Sequence, residues 1–275
     1  MTKLDTVVFG ATFAGVGYAF AGAVRGEKIA VVEPTVNIGT DFCGCFKYAP
    51  IIKSDDISAT GRRFYELAER HKLVCENGEN HLPALASVLA LMLKEAGTET
   101  FFLSAPVHIE RCTDGFVSEL FSVDGIQRLE SRRVIDTTAN GILSGTQHMS
   151  TETFELGARK RLAASLVSNK PDMIELVGKE YRIAHGLYPD EYYFSVDVPP
   201  DCDYMHARKL LHTAWELAVG EGKIRGLLMG AAASYFAFDF DNPCMYTDGN
   251  FGRCISASHL SPLEALERGA EFSWS

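Results

Sequence analysis

The sequence predicts an α/β protein, with one domain built on a parallel sheet and a β-meander and a smaller α+β domain inserted into it. Three observations carry this expectation. The first forty residues run buried strand, glycine turn, apolar helix, buried strand. Residues 82–139 run helix, short strand, meander, then a buried strand ending in small residues. The chain has 275 residues, enough for roughly two domains.

Each element has a local reason. Thr6 to Phe9 is β-branched and aromatic, which suits a buried parallel strand, and Gly10 breaks it. Ala14 to Val24 is small and apolar and reads as a buried helix, stopped by Arg25-Gly26-Glu27-Lys28. Ile29 to Val32 is the second strand and ends at Glu33. Residues 82–94 form a strongly apolar helix that stops at Ala96-Gly97. Short strands follow at Glu99–Leu103 and Val107–Cys112, and Thr113-Asp114-Gly115 signals a hairpin. Phe116–Val123 alternates, and Arg133–Ala139 closes the run as a buried strand and small-residue turn. In the middle block, 153–167 and 172–183 read as helices, Glu191–Val198 as a strand stopped by Pro199-Pro200, and Asp203–Val219 as a helix. Near the end, Ser261-Pro262-Leu263-Glu264 combines a capping box with proline at the first helical position.

Composition excludes several classes. Hydrophobic residues make up 47% and charged residues 23%, which describes a globular chain. With 26 basic and 36 acidic residues the formal charge is −10, so a bulk basic footprint for nucleic acid is missing. No apolar run approaches the roughly 18 residues that span a bilayer. The stretch from Phe13 to Val24 is interrupted by glycine and preceded by a strand rather than a basic leader. The expectation is a soluble, cytoplasmic protein. Seven scattered cysteines, an odd number, read as free thiols rather than a disulfide framework.

Gly10-Ala11-Thr12-Phe13-Ala14-Gly15 approximates the G-x-G-x-x-G turn that opens a helix onto a pyrophosphate. Gly10 permits the tight turn, Gly15 permits close packing of helix on sheet, and Thr12 replaces the middle glycine, where its Cβ costs room. Glu33 lies 23 residues after Gly10, where an acid accepts from ribose hydroxyls. A parallel unit that binds no dinucleotide uses the same pattern.

Three segments in order resemble the FAD-dependent oxidoreductase superfamily, with its glutathione-reductase-like FAD-binding fold, and most of all its compact bacterial branch. They are Gly10–Gly15 with Glu33, Pro34 and the Gly39-Thr40 turn; the meander ending Asp136-Thr137-Thr138-Ala139; and Gly252-Arg253-Cys254-Ile255-Ser256-Ala257-Ser258-His259. The glycine motifs are degenerate: Ile38 precedes Gly39 where the branch has glycine, and Ala139 stands where it has glycine. The resemblance implies a Rossmann-like FAD-binding domain over 1–144, a small substrate or interaction domain over 145–241, and a return segment over 242–275 that completes the first. It implies FAD at Gly10, Thr12, Phe13, Ala14, Gly15, Glu33, Pro34, Gly39 and Thr40. Val107 would face the adenine, Thr138 and Ala139 would pass beside the cofactor, and Gly252 and Arg253 would complete the site.

His259 and Arg253 are the acid–base or orienting candidates. Cys43 and Cys45 stand just after the Gly39-Thr40 turn, where disulfide reductases of the superfamily carry redox cysteines at C-x4-C spacing; here the spacing is C-x-C. The alternative is that small residues are needed there. No second cysteine pair or histidine cluster points to a metal. The implied activity is hydride or electron transfer between FAD and a small-molecule substrate, in a homo- or hetero-oligomer. The altered glycines and the short middle block keep open a non-catalytic or FAD-sharing subunit of a hetero-oligomeric oxidoreductase. Nicotinamide binding alone leaves the 252–259 segment without a role.

Overall fold

The computed structural model describes residues 3–139, 143, 159–178, 180–240, 245–259 and 261–274. The chain opens with β1 (Leu4–Phe9), α1 (Phe13–Val24) and β2 (Ile29–Glu33). After a long connection come α2 (Ala59–Arg70), α3 (Leu85–Glu95) and β3 (Glu99–Phe102). The meander follows as β4 (Ala105–Cys112), β5 (Gly115–Ser122) and β6 (Gly125–Asp136). The next block holds β7 (Arg159–Ile174), β8 (Arg182–His185), β9 (Glu191–Val198), α4 (Tyr204–Gly220), β10 (Ile224–Ala232) and β11 (Ala237–Asp239). The chain returns through β12 (Met245–Asp248), β13 (Phe251–Cys254) and α5 (Pro262–Glu271).

Two sheets organise these elements. The first runs β12-β13-β6-β1-β2-β3, and β13, β6, β1, β2 and β3 are mutually parallel. β6 serves twice: its first half pairs antiparallel with β5 in the meander, and its second half lies beside β1. Every residue of β2 is buried, as expected of a strand covered on both faces. Val8, Val31 and Ile135 face a core shared with α1, α2, α3 and α5. Val7, Phe9, Val32 and Val134 face the opposite way, against Ile109, Phe116 and Leu120 of the meander. This is a Rossmann-like α/β arrangement, with helices on one face of the parallel sheet and the meander on the other.

The second sheet runs β10-β7-β9-β8, with β11 also on β7, and all its pairings are antiparallel. α4 covers it through Ala207, Leu211, Ala214 and Ala218. The helices expected over 153–167 and 172–183 are overturned wherever the structure describes them, because 159–174 is β7 and 182–185 is β8. Residues 153–158 and 179 lie outside the described residues. The alanines, leucines and basic residues of this stretch favour helix locally. Pairing with β9 and β10 overrides that preference and turns Leu162, Ala164 and Leu166 into the core at a period of two.

Near-contact of two helix backbones places the return segment. A Cβ at Gly17 would collide with the carbonyl of Leu266, and one at Gly269 with the carbonyl of Ala14. Only glycine lets α1 and α5 approach this closely. Gly269→Ala is therefore expected to cost about 1–3 kcal/mol by overpacking, more than the roughly 1 kcal/mol of helix propensity it gains. Gly220→Ala, at a site with open space, is expected to be neutral or stabilising by up to about 1 kcal/mol. Urea unfolding of both variants checks the pair.

Candidate functional site

The site is built around the first turn of α1. β1 ends at Phe9, and Gly10 turns the chain at a φ of 104°, with its N–H donated to Val32 at 2.8 Å. Thr12 is extended and caps the helix, its hydroxyl oxygen accepting from the Gly15 N–H at 3.1 Å. The same hydroxyl donates to the Thr137 carbonyl at 3.0 Å, which ties the helix start to the turn after β6. Thr12 thus works as an N-cap. Gly15 is required on steric grounds, since a Cβ there would collide with the Gly10 carbonyl.

A helix start leaves N–H groups without intrahelical partners and carries about half a positive charge. Here side chains from remote segments receive them. The Ala11 N–H reaches Glu33 Oε2 at 3.0 Å, the Phe13 N–H reaches Asp41 Oδ2 at 3.2 Å, and the Ala14 N–H reaches Ser256 Oγ at 3.1 Å. The Ser256 hydroxyl in turn donates to Asp41 Oδ2. Ser256 is brought there by the short 3-10 turn Ser256–Ser258 that leads into α5, which Ser261 caps through the Glu264 N–H at 3.2 Å.

Asp41 is fully buried, and Oδ1 of its carboxylate has no hydrogen-bond partner among the described residues. Burial pushes its pKa up to about 6, against the opposing pull of Ser256, the Phe13 N–H and the charge of Lys47. Lys47 is itself buried. Its ammonium donates to the carbonyls of Phe238, Ala257 and His259 at 2.9, 2.7 and 3.0 Å and pairs with Asp239 at 3.2 Å. Burial holds that ammonium below its usual range. Lys47 thereby clamps the return segment to β11.

Beside this helix start lies a cavity of about 420 Å³. Its floor is Thr12, Glu33, Pro34, Thr35, Thr40, Thr138 and Ala139, and its roof is Tyr204, Ser234, Tyr235, Phe236 and Phe238 from the second block. The cavity sits outside the carboxyl ends of β1, β2 and β6, where β1 is flanked on opposite sides by β2 and β6. That is the topological switch point where open α/β sheets take ligands. Glu33 accepts from the Thr35 N–H at 3.0 Å and the Thr35 hydroxyl at 2.8 Å as well as from Ala11. Oε2 accepts only from Ala11 among these, and a carboxylate oxygen can accept two hydrogen bonds, so Glu33 keeps capacity for a ligand hydroxyl.

The structure brings Gly10, Thr12, Ala14, Gly15, Glu33, Pro34, Thr40, Thr138 and Ala139 to this helix start or cavity. Gly39 adopts a φ of 70° and donates its N–H to Ala11 at 2.8 Å, which ties its turn to the same place. Phe13 contributes its N–H, while its ring packs edge-on against Phe42 and Phe64. Val107 is exposed on β4 and is not among the residues that line the cavity. Gly252 faces Phe272 and Trp274. Arg253 is buried with its charge acting on Asp136, its register neighbour, whose carboxylate accepts from Thr138 and Leu143. His259 is buried 3.7 Å from Glu264, neither ring nitrogen has a hydrogen-bond partner among the described residues, and burial lowers its pKa.

Cys43 and Cys45 lie in a buried turn; the Ala86 N–H at the head of α3 favours the Cys43 thiolate, but burial outweighs it. Burial drives the Cys43 thiol well up and the Cys45 thiol to about 12, so both are protonated at neutral pH. Among the described residues no group of three or more His, Cys, Asp and Glu is arranged to hold a metal. None of the described helices is long and apolar enough to cross a membrane.

Sequence reasoning missed Asp41, Ser256 and the aromatic roof. Asp41 directly follows the recognised Gly39-Thr40 turn, and that adjacency is the signal the sequence offered.

No family model matches the chain, and no curated protein matches it by sequence. Solved structures match it by shape. Glycine oxidase from Geobacillus kaustophilus superposes at a TM-score of 0.65 with 13% identity, over 98% of this chain and 93% of that one. L-Proline dehydrogenase from P. horikoshii gives 0.62 with 13% identity, over 97% and 91%. Aklavinone-11 hydroxylase, in complex with FAD and aklavinone, gives 0.60 with 13% identity over 98% of this chain. The chain spans 61% of the length of that hydroxylase. At such identities these likenesses establish the fold.

The raised pKa of Asp41 has a sign that stability measurements read. A carboxyl whose folded pKa lies above its unfolded value contributes stability below the unfolded value and loses it as pH rises through the folded one. Between about pH 4 and 7 the protein is expected to lose on the order of 2–3 kcal/mol relative to Asp41→Asn. Denaturant titrations of both proteins across this range check the difference.

Proposed function

We propose that the chain is a flavoprotein oxidoreductase, holding FAD in the cleft between the α1 start and Glu33 and acting on a small-molecule substrate. The observation that carries this reading is the pairing of an anion seat with a sugar-binding acid across one cavity. The carboxylate of Asp41 is a stand-in anion, and its hydrogen bond to Phe13 supports the reading that the α1 start receives negative charge. Glu33, on the far side of the turn, retains acceptor capacity facing the cavity. On these observations the residues fit a dinucleotide, provided Asp41 gives up its place. The fold shared with the FAD complex of aklavinone-11 hydroxylase supports the reading.

Bound FAD would supply the hydride or one-electron chemistry. This chain's residues supply placement. Glu33 accepts the sugar hydroxyls, with Thr35 orienting its carboxylate. The N–H groups of Phe13 and Ala14 and the hydroxyl of Ser256 receive phosphate oxygens. Tyr235, Phe236 and Phe238 line the cavity opposite Glu33 and Thr12 and offer the ligand an apolar surface. Lys47 fixes the 257–259 segment. Arg253 and His259 act as positioning residues: Arg253 holds Asp136 and the 137–139 turn, and His259 stays neutral against the start of α5. Thiol chemistry at Cys43 and Cys45 is outside this reading, because both thiols are buried and protonated. The substrate domain comprises the 145–241 block, and the 242–275 return segment completes the FAD-binding domain.

A second reading, a subunit that keeps the fold without its own FAD, is favoured by Asp41 already filling the anion seat. One titration separates the two. Adding FAD to the purified protein is expected to quench flavin fluorescence and to saturate. Glu33→Ala and Glu33→Gln are each expected to weaken binding by about 10- to 100-fold, the worth of a hydrogen bond to a charged group. No saturable uptake at any FAD concentration favours the second reading, and unchanged affinity in both Glu33 variants removes Glu33 from the site.

A further inference from the structure

We infer that Asp41 is an internal competitor for the phosphate seat, a side chain that must leave the start of α1 before a phosphate-bearing nucleotide can bind. The inference rests on the flavin reading above and deepens it, because it names the residue that sets how tightly this chain takes such a ligand.

The geometry carries the argument. One carboxylate oxygen, Oδ2, collects both the Phe13 N–H, at 3.2 Å, and the hydroxyl of Ser256. Through Ser256 it is also linked to the Ala14 N–H, at 3.1 Å. These are the donors a phosphate at the helix start would need, so Asp41 and a phosphate cannot use them together. A phosphate a few ångströms away would also repel the ionised carboxylate.

Asp41 is also held incompletely. Its Oδ1 is buried without a hydrogen-bond partner among the described residues, a costly state for a carboxylate. The nearby cation does not compensate directly, because Lys47 is committed to Asp239 and to three carbonyl oxygens. An incoming phosphate offers the helix start a second acceptor and lets Asp41 recover solvation. Thr40, the residue before Asp41, lines the cavity. The backbone of the turn need not move: Gly39 stays bonded to Ala11, and the Phe42 and Cys43 N–H groups stay on the Gly39 carbonyl.

The test is a binding titration of the intact chain with FAD, ADP and adenosine, read by flavin fluorescence and by calorimetry. Asp41→Ala removes both the charge and the acceptor, and Asp41→Asn removes the charge while keeping the shape. Circular dichroism and thermal melts confirm that each variant is folded. The expected result is a Kd for FAD and ADP at least tenfold lower in Asp41→Ala and also lower in Asp41→Asn, with adenosine unchanged because it carries no phosphate. Equal or weaker FAD and ADP binding in both folded variants overturns the inference and leaves the flavin reading standing. An equal gain for adenosine also overturns it, since the effect would then be general loosening. Failure of both variants to fold makes Asp41 a structural residue and overturns it too. If neither the parent chain nor any variant binds FAD or ADP, the flavin reading falls and the inference falls with it.

Discussion

The start of α1 is buried, and a buried helix start must find acceptors for its free N–H groups. That requirement governs the first sheet and everything attached to it. Four side chains meet it: Glu33 at the end of β2, Thr12 in the turn itself, Asp41 from the connection after β2, and Ser256 from the return segment. The partners lie up to 242 residues apart in the chain, so one electrostatic demand joins the beginning, the first connection and the end of the molecule. The parallel strands bring the turns together, and the glycine contact between α1 and α5 brings Ser256 within reach. Without those acceptors, unpaired backbone donors would be left inside the protein, each costing about 1–3 kcal/mol.

The arrangement is stable without being relaxed. Asp41 contributes a charge of the right sign next to a helix N-terminus, a favourable placement of about 0.3–1 kcal/mol when exposed and up to about 2 when partly buried. The same burial removes its hydration and leaves one oxygen without a partner. That cost is the ground for the proposal that the carboxylate yields its place to an external anion. The cavity next to it has polar walls at Glu33, Thr35 and Thr138 and an aromatic lid, a combination that suits a ligand with a hydroxylated ring.

Much of the fold was legible because its signals were local. The strand–glycine–helix–strand opening followed from β-branched runs and from Gly10 and Gly15, whose roles are steric and depend on near neighbours. The meander followed from alternation and from the Thr113-Asp114-Gly115 turn. The helix start at Ser261 followed from four consecutive residues, and the Ser261 N-cap is observed at the head of α5. β7 was not legible, because its residues favour helix and only pairing with β9 and β10, remote in sequence, makes them a strand. The site divides the same way. Glu33 and Thr12 could be located from spacing, although the capping role of Thr12 could not be seen until Thr137 stood beside it. Asp41 and Ser256 acquire meaning only through each other, across 215 residues. Cys43 and Cys45 left two readings open, because thiol reactivity depends on exposure, which spacing does not encode.

The central claim is that the α1 start is an anion seat held by Asp41 in the free chain and surrendered to a nucleotide phosphate. The most direct measurement is a crystal structure of the chain grown with saturating FAD. The account predicts phosphate oxygens within hydrogen-bonding distance of the Phe13 and Ala14 amides, the ribose on Glu33, and the Asp41 carboxylate turned out of the seat. FAD bound elsewhere, or Asp41 still bonded to Phe13 beside a fully occupied cofactor, would contradict it.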